Sequence, residues 1–288
     1  MKTAEQFEKH LQSFLNAPSP LWETDLTDKL VKAKYDDLLL DGIANRQSYS
    51  TAAALNIKDT SPKKHFLYSS NGTAIFLELP DFLNLSAFYE EHGLIPLTDE
   101  TLVKVKAASK IKKALDVLGL IPDCIACIAG LVNCIQVVES DGRDYDTSYS
   151  HPDLPFTIFV SVCEDDALSA GFRVAESILH EAMHLKLTLI QQHIDLVKAD
   201  SAETFFSPWR NVQRPLIGVL HGLFVFRSVS DFYQSVLDKF TLNSIDDNFL
   251  TYRIADIKND FEALQYFSNN HDLTKDGASL SANLLPLN

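Results

Sequence analysis

The stretch ILHEAMHLKL, residues 178–187, constrains this chain more than any other. It belongs to a longer run at helical spacing, from about residue 168 to 193, whose flanks AESIL and LKLTLI are apolar. A helix with such flanks packs into a core, yet its middle carries two histidines four apart and a glutamate after the first. Positions four apart lie on one helical face, one turn from each other. His180 and His184 can therefore aim both imidazoles at one ion, which is why H-E-x-x-H is a ligand pattern. Burying two imidazoles demands hydrogen-bond partners or a metal. Glu181 sits on the adjacent face, placed to act as general base on a metal-bound water or to support the site from behind.

Two ligands do not complete a catalytic site. One familiar extension puts glycine three residues and histidine six residues after the second histidine; Leu187 and Ile190 stand there instead. His193, Glu203, His221 and Asp231 are the remaining candidates. His193 is turned off the ligand face, Glu203 falls in a loop, and Asp231 with Tyr233 reads as the polar side of a helix. His221 lies between Gly218 and Gly222 in the apolar GVLHGLFVF, where small neighbours let another element or a ligand approach. Alone it reads as a hydrogen-bonded core histidine; beside an H-E-x-x-H in need of a third ligand it reads as that ligand. The intervening SPWRNVQRPL brings Arg210 and Arg214 to the same region. They serve either as caps and salt bridges or as a bidentate fork for a carboxylate ligand.

The rest of the 288-residue chain predicts a mainly α fold with a small β-sheet (α+β), the metal site lying between two helices of the C-terminal half. EQFEKHLQSFLNA predicts a helix ended by Pro18 and Pro20, and TDLTDKLVKAKYDDLLLDG a second, opened by Asp25 or Thr27 and closed at Gly42. NIKDTSPKKH predicts a loop, GTAIFLELP a strand, and LSAFYEEHG a helix stopped by Gly93. One helix is expected from Thr98 to Gly119 and another after Pro122, followed by a strand near CIQVVES. DGRDYDTSYSHPDLP predicts turns, FTIFVSV a strand, SAETFFSPWRNVQRPL a loop, and IGVLHGLFVFRSVSDFYQSVLDKF a long apolar helix. From Ser244 one more helix and a disordered end are expected. Residues 1–120 form a helical region whose role the residues leave open, peptide binding being one reading. Residues 121–288 hold the metal motif, either as a second domain or continuous with the first.

Lys and Arg total 25 against 39 Asp and Glu, a net charge of −14 that repels phosphate backbones and anionic headgroups. Neither nucleic acid nor membrane is an expected partner. The charged N-terminus lacks a signal-peptide core and no uninterrupted apolar run is long enough to span a bilayer, so the cytoplasm is the expected location. There Cys124, Cys127, Cys134 and Cys163 are expected as free thiols. The C-x-x-C of DCIACIAGLVNC lies among apolar residues and reads as buried core.

AESILHEAMHLKL followed by FFSPWRNVQRPLIGVLHGLFVF resembles the H-E-x-x-H family associated with ribosomally made, modified peptides. That family joins V/L-H-E-x-x-H-x-K-L to S-P-W-R, R-P-L and G-x-x-H-G. The matching residues here are His180, Glu181, His184, Lys186 and Leu187; Ser207, Pro208, Trp209 and Arg210; Arg214, Pro215 and Leu216; and Gly218, His221 and Gly222. The preceding LPFTIFVSV is also similar, so the resemblance covers residues 154–232. It implies an iron(II)- and 2-oxoglutarate-dependent oxygenase that uses O₂ to hydroxylate the β-carbon of a residue in a precursor peptide. His180, His184 and His221 would then hold the iron, and Arg210 or Arg214, with Arg214 favoured, the 2-oxoglutarate carboxylate. Glu181 is left without an assigned role. The residues by themselves also admit a zinc metallopeptidase with Glu181 activating water, and a binding module whose histidines hold structural zinc and which captures a leader peptide.

Overall fold

The computed structural model describes residues 2–17, 21–40, 49–55, 57, 63–70, 72–142, 145–165 and 167–285. Helix α1 (Lys2–Asn16) buries Leu11, Phe14 and Leu15, which recur at helical spacing. Helix α2 (Thr24–Leu40) starts ahead of both expected caps. The Glu23 carboxylate accepts the N–H groups of Asp25 and Leu26 at 2.7 and 2.8 Å, so Glu23, not Asp25 or Thr27, satisfies the helix start. Pro18, Pro20 and Gly42, the expected stops, lie outside the described residues.

A short α3 (Thr51–Ala54) leads towards β1 (Lys64–Ser70) and β2 (Thr73–Glu78), an antiparallel pair. The end of the stretch read as loop, KKH, thus enters a strand. Helix α4 (Phe82–Glu91) ends as expected at Gly93, which takes a left-handed φ of 63°. The single helix expected from Thr98 is two, α5 (Asp99–Lys104) and α6 (Ala107–Leu118). Lys106 breaks them with a φ of 54°, a backbone turn that helical periodicity does not register.

Helix α7 (Pro122–Leu131) carries Cys124 and Cys127, both buried, and precedes β3 (Cys134–Val137). The stretch read as turns contains β4 (Ser148–Ser150), which β5 (Thr157–Val160) follows. The five strands order as β1-β2-β3-β5-β4; β2, β3 and β5 run parallel, and β1 and β4 close the two edges antiparallel. Helix α8 (Ala170–Gln191) packs on β4, β5 and α6. Next come β6 (Thr204–Ser207) and β7 (Val212–Pro215), a hairpin where a loop was expected. Helix α9 (Leu216–Lys239) packs along α8, and the tail adds two helices, α10 (Ser244–Glu262) and α11 (Lys275–Leu284).

The fold is therefore mainly α with a small mixed sheet. One buried cluster runs from Leu11 to Leu284, taking in side chains from both sides of residue 120. Among the described helices α9 alone has the length and apolarity to cross a membrane, with a mean hydropathy of 1.2 in its most apolar window. Of that window 67% is buried against the rest of the protein.

Candidate metal centre

Helix α8 turns one continuous face, from Arg173 through His180, His184 and Thr188 to Gln191, into a cavity of about 1290 Å³. It is closed by β4 and its flanking segments, the β6–β7 hairpin, the first half of α9, and Phe249 and Arg253 of α10. His180 and His184 place their Nε2 atoms 3.1 Å apart. Two metal bonds of about 2.1 Å at octahedral or tetrahedral angles set their donors roughly 3.0–3.4 Å apart, so this pair suits one ion. His221, from α9, stacks on His184 with ring centroids 5.2 Å apart and sets its Nδ1 3.0 Å from His184 Nδ1. Its Nε2 faces Gln191 Oε1 at 2.8 Å.

The three imidazoles are thus in contact in series, with His184 in the middle presenting a different nitrogen to each neighbour. Among the described residues, the groups that bring one ligand atom each within 4.8 Å of all the others lie elsewhere, at His10–Glu23–Asp25 and Glu203–His271–Asp272. The other third-ligand candidates stay away from the histidine pair. His193 is exposed and meets the Phe7 ring edge-on at 4.9 Å. Glu203 belongs to the exposed group just named. Asp231 pairs with Arg227 at 2.8 Å. Tyr233, expected on a polar face with Asp231, is instead fully buried and donates to Glu176 at 2.8 Å, because α10 covers that side of α9.

Burial governs the charge state of the site. It holds the His180 imidazole down to about 3, helped by the guanidinium charges of Arg253 and Arg210, although 23% of that side chain opens to the cavity. Burial, then Arg214, holds His221 down to about 4; burial and its charged neighbours keep His184 well below the usual range. All three rings are neutral at physiological pH, the form that offers a lone pair to a metal. Imidazole donors suit iron, zinc, copper or nickel, so the residues fit a first-row divalent ion.

Glu181 is 3% exposed and points at β4. Residues i and i+2 of a strand share a face, and Ser148 and Ser150 each donate a hydroxyl to one Glu181 oxygen at 2.6 Å. Burial pushes the Glu181 carboxyl up to about 7, against the opposing pull of these two hydroxyls and of Arg210. Its nearer oxygen is 3.9 Å from His180 Nε2. Ser148 and Ser150 were missed from the sequence, where their only trace was a polar, alternating S-Y-S within a turn-rich stretch.

The hairpin explains the two glycines around His221. Asn211 turns it with a φ of 52°, and β7 then delivers Arg214 to α9. A Cβ on Gly218 would stand 3.2 Å from the Arg214 guanidinium carbon, and one on Gly222 would overlap the Trp209 indole. The close approach inferred from the glycines is made by the hairpin's own side chains. Trp209 in turn meets Phe226 at 5.2 Å, and Phe226 meets His180 at 5.2 Å, an aromatic wall beside the histidines.

Four arginines line the cavity of this acidic protein. Arg173 pairs with Asp146 at 2.8 Å and Arg253 with Glu176 at 2.8 Å. Among the described residues Arg210 and Arg214 have no carboxylate within ion-pair distance. Two guanidiniums without an ion-pair partner carry N–H donors of the kind that pair with a carboxylate. No protein-family model matches this chain, and no curated protein matches it.

Proposed function

We propose that this protein is an iron(II)- and 2-oxoglutarate-dependent oxygenase that hydroxylates the β-carbon of a residue in a ribosomally made precursor peptide. The observation that carries this reading is the juxtaposition of three neutral, touching imidazoles with two arginines that have no acidic partner. His180 and His184 would hold the metal through their facing Nε2 atoms; His221, whose Nδ1 meets His184 Nδ1 and whose Nε2 meets Gln191, would have to turn its ring to become the third ligand. Arg214, packed on Gly218 one turn before His221, is placed to bind the keto acid's distal carboxylate; Arg210, at the hairpin turn, is the other candidate. Iron and 2-oxoglutarate, when bound, supply the oxidising power that inserts one oxygen atom of O₂ into a C–H bond and releases succinate and CO₂.

The chain's own contribution is binding, orientation and exclusion of water. Ligand sites for small molecules span roughly 300–1,000 Å³, so a cavity of about 1290 Å³ leaves room for a peptide segment beside a keto acid. Trp209 and Phe226 give the wall next to His180 an apolar surface. Glu181, with both oxygens engaged by serine hydroxyls, anchors α8 to β4 in this reading.

The test is metal analysis together with succinate release under air and under argon, with the cognate peptide present. The expected result is iron-dependent succinate under air only, and one oxygen atom gained by the peptide. No succinate under air with iron, 2-oxoglutarate and peptide all present would refute the proposal. One observation favours a zinc peptidase instead: a Glu181 carboxyl held near 7 matches a general base at neutral pH. That reading requires copurifying zinc, indifference to oxygen, and loss of peptide cleavage in Glu181→Gln.

A further inference from the structure

Strand β4 ends the five-stranded sheet, so β5 pairs with only one of its two edges. The Ser161 N–H donates to the Thr147 carbonyl, which fixes the phase of the ladder: Thr147 and Tyr149 turn their backbone groups to β5. In an antiparallel pair the residues between turn theirs the other way, so the N–H and C=O of Ser148 and Ser150 point out from the free edge. Among the described residues no protein group meets these four. That edge opens on the cavity. Ser148 and Ser150 send their hydroxyls to Glu181 on one face of the strand, and Tyr149 sends its ring to His92 and Phe159 on the other. All three line the cavity nonetheless, which places it along the edge of the strand and not on one face. Glu181 bridges this edge to the histidines: its Oε1 is 2.6 Å from the Ser148 hydroxyl and 3.9 Å from His180 Nε2.

We propose that this edge seats the peptide: an extended, acidic segment adds to β4 as a sixth strand, hydrogen-bonds Ser148 and Ser150 through its backbone, and runs past His180. This rests on the peptide substrate proposed above, but not on the reaction assigned to it. A row of unpaired N–H and C=O groups is a template for another strand, and pairing of this kind is one way that folded proteins hold extended peptides. The concave site admits one such segment but not the sheet edge of a second folded copy. Charge narrows the choice of segment. The guanidinium of Arg210 bears on Glu181 and His180, beside β4, whereas that of Arg214 bears on His184 and His221. Arg210 has no carboxylate partner among the described residues, so the complementary segment is one that brings an acidic side chain to it.

The test selects binders to the immobilised full chain from a synthetic library of seven-residue peptides with a fixed central Asp, then methylates each backbone nitrogen of the strongest binder in turn. Strand addition predicts alternation: methylation at every second residue weakens binding roughly 10-fold or more through lost ladder bonds, and methylation at the residues between changes it little. Amide exchange followed by NMR is expected to slow at Ser148 and Ser150 when the peptide binds, and to be slow at Tyr149 with or without it. Replacing the central Asp by Asn is expected to weaken binding to the parent but not to Arg210→Gln. A library that yields no binder overturns the proposal, as do a methylation scan without alternation and unchanged exchange at Ser148 and Ser150. Equal binding of the Asp and Asn peptides to the parent overturns the role of Arg210. If Arg210→Gln does not fold, the scan, the exchange and the Asp–Asn comparison on the parent decide alone. Absent succinate with the alternation and the amide protection both found would refute only the oxygenase reading, so the two failures are distinguishable.

Discussion

A Cβ on Gly222 meets the rigid Trp209 indole, whereas one on Gly218 meets only the mobile end of the Arg214 side chain. Gly222→Ala should therefore cost about 1–3 kcal/mol through overpacking, and Gly218→Ala distinctly less; chemical denaturation measures both. Of the two tryptophans, Trp22 is buried in the core, so an altered emission spectrum in Gly222→Ala would report Trp209 leaving its seat. The arginines differ in the same graded way. Arg214 is half-buried against α9 and Arg210 is exposed at the turn. Arg214→Gln is expected to weaken 2-oxoglutarate binding roughly 10- to 100-fold, the loss of one charge-assisted pair, and Arg210→Gln far less. Calorimetric titration of each variant in the presence of metal checks the order, and equal losses would show both guanidiniums on one carboxylate. The histidine spacing alone places His180 and His184 on one face. The contacts of Glu181 with Ser148 and Ser150 and of Gln191 with His221 depend on approach from β4 and α9, which local spacing does not encode.

Elements read from periodicity survive where one face is buried, as in α1, α8 and α9, because a 3.6-residue repeat is written directly into the apolar positions. The misreadings fall where backbone conformation decides. Lys106 and Asn211 adopt positive φ without a glycine to announce it, so one helix became two and one loop became a hairpin. Strand β4 is three residues long, too short to show a pattern. Element docking has its own test at Lys186, which is fully buried in α8 and donates to the carbonyls of Leu21 and Glu23 at 2.7 and 2.9 Å. It fastens the chain entering α2 to the helix that carries the histidines. Lys186→Met keeps the length but removes the lysine donor from both carbonyls, leaving that of Glu23 still accepting from the Thr27 hydroxyl at 2.7 Å, and should cost about 1–3 kcal/mol in denaturant unfolding. In α7, burial pushes the Cys124 thiol well above its usual range and raises Cys127 too, so neither is a thiolate at neutral pH. Mass spectrometry after brief alkylation at pH 8 should find both unlabelled in the folded protein and labelled in denaturant. Rapid labelling of either in the native state would contradict a core role for the C-x-x-C.

Over the whole molecule, the first and last described helices meet. Gln12 in α1 donates to Asp276 of α11 at 3.3 Å, and Asn283 donates to the Leu15 carbonyl at 3.3 Å. Helices α2 and α6 pack on α8, so cutting at residue 120 would strip apolar cover from the helix that bears the metal motif. A fragment of residues 121–288 is expected to lack cooperative thermal unfolding and to bind hydrophobic dyes, checked by circular dichroism and dye fluorescence; a sharp transition would instead reveal an independent C-terminal unit. The amino-acid sequence by itself determined the helical class, the paired imidazoles on one face of α8 and the small residues around His221, since each is a matter of spacing and size along one segment. Only the tertiary structure decided that Glu181 turns to a serine pair, that Trp209 and Arg214 fill the glycine gaps, and that Gln191 ends the histidine row. Those contacts join residues 30 or more positions apart in most cases, and their geometry follows from how helices and strands pack, which no local pattern records.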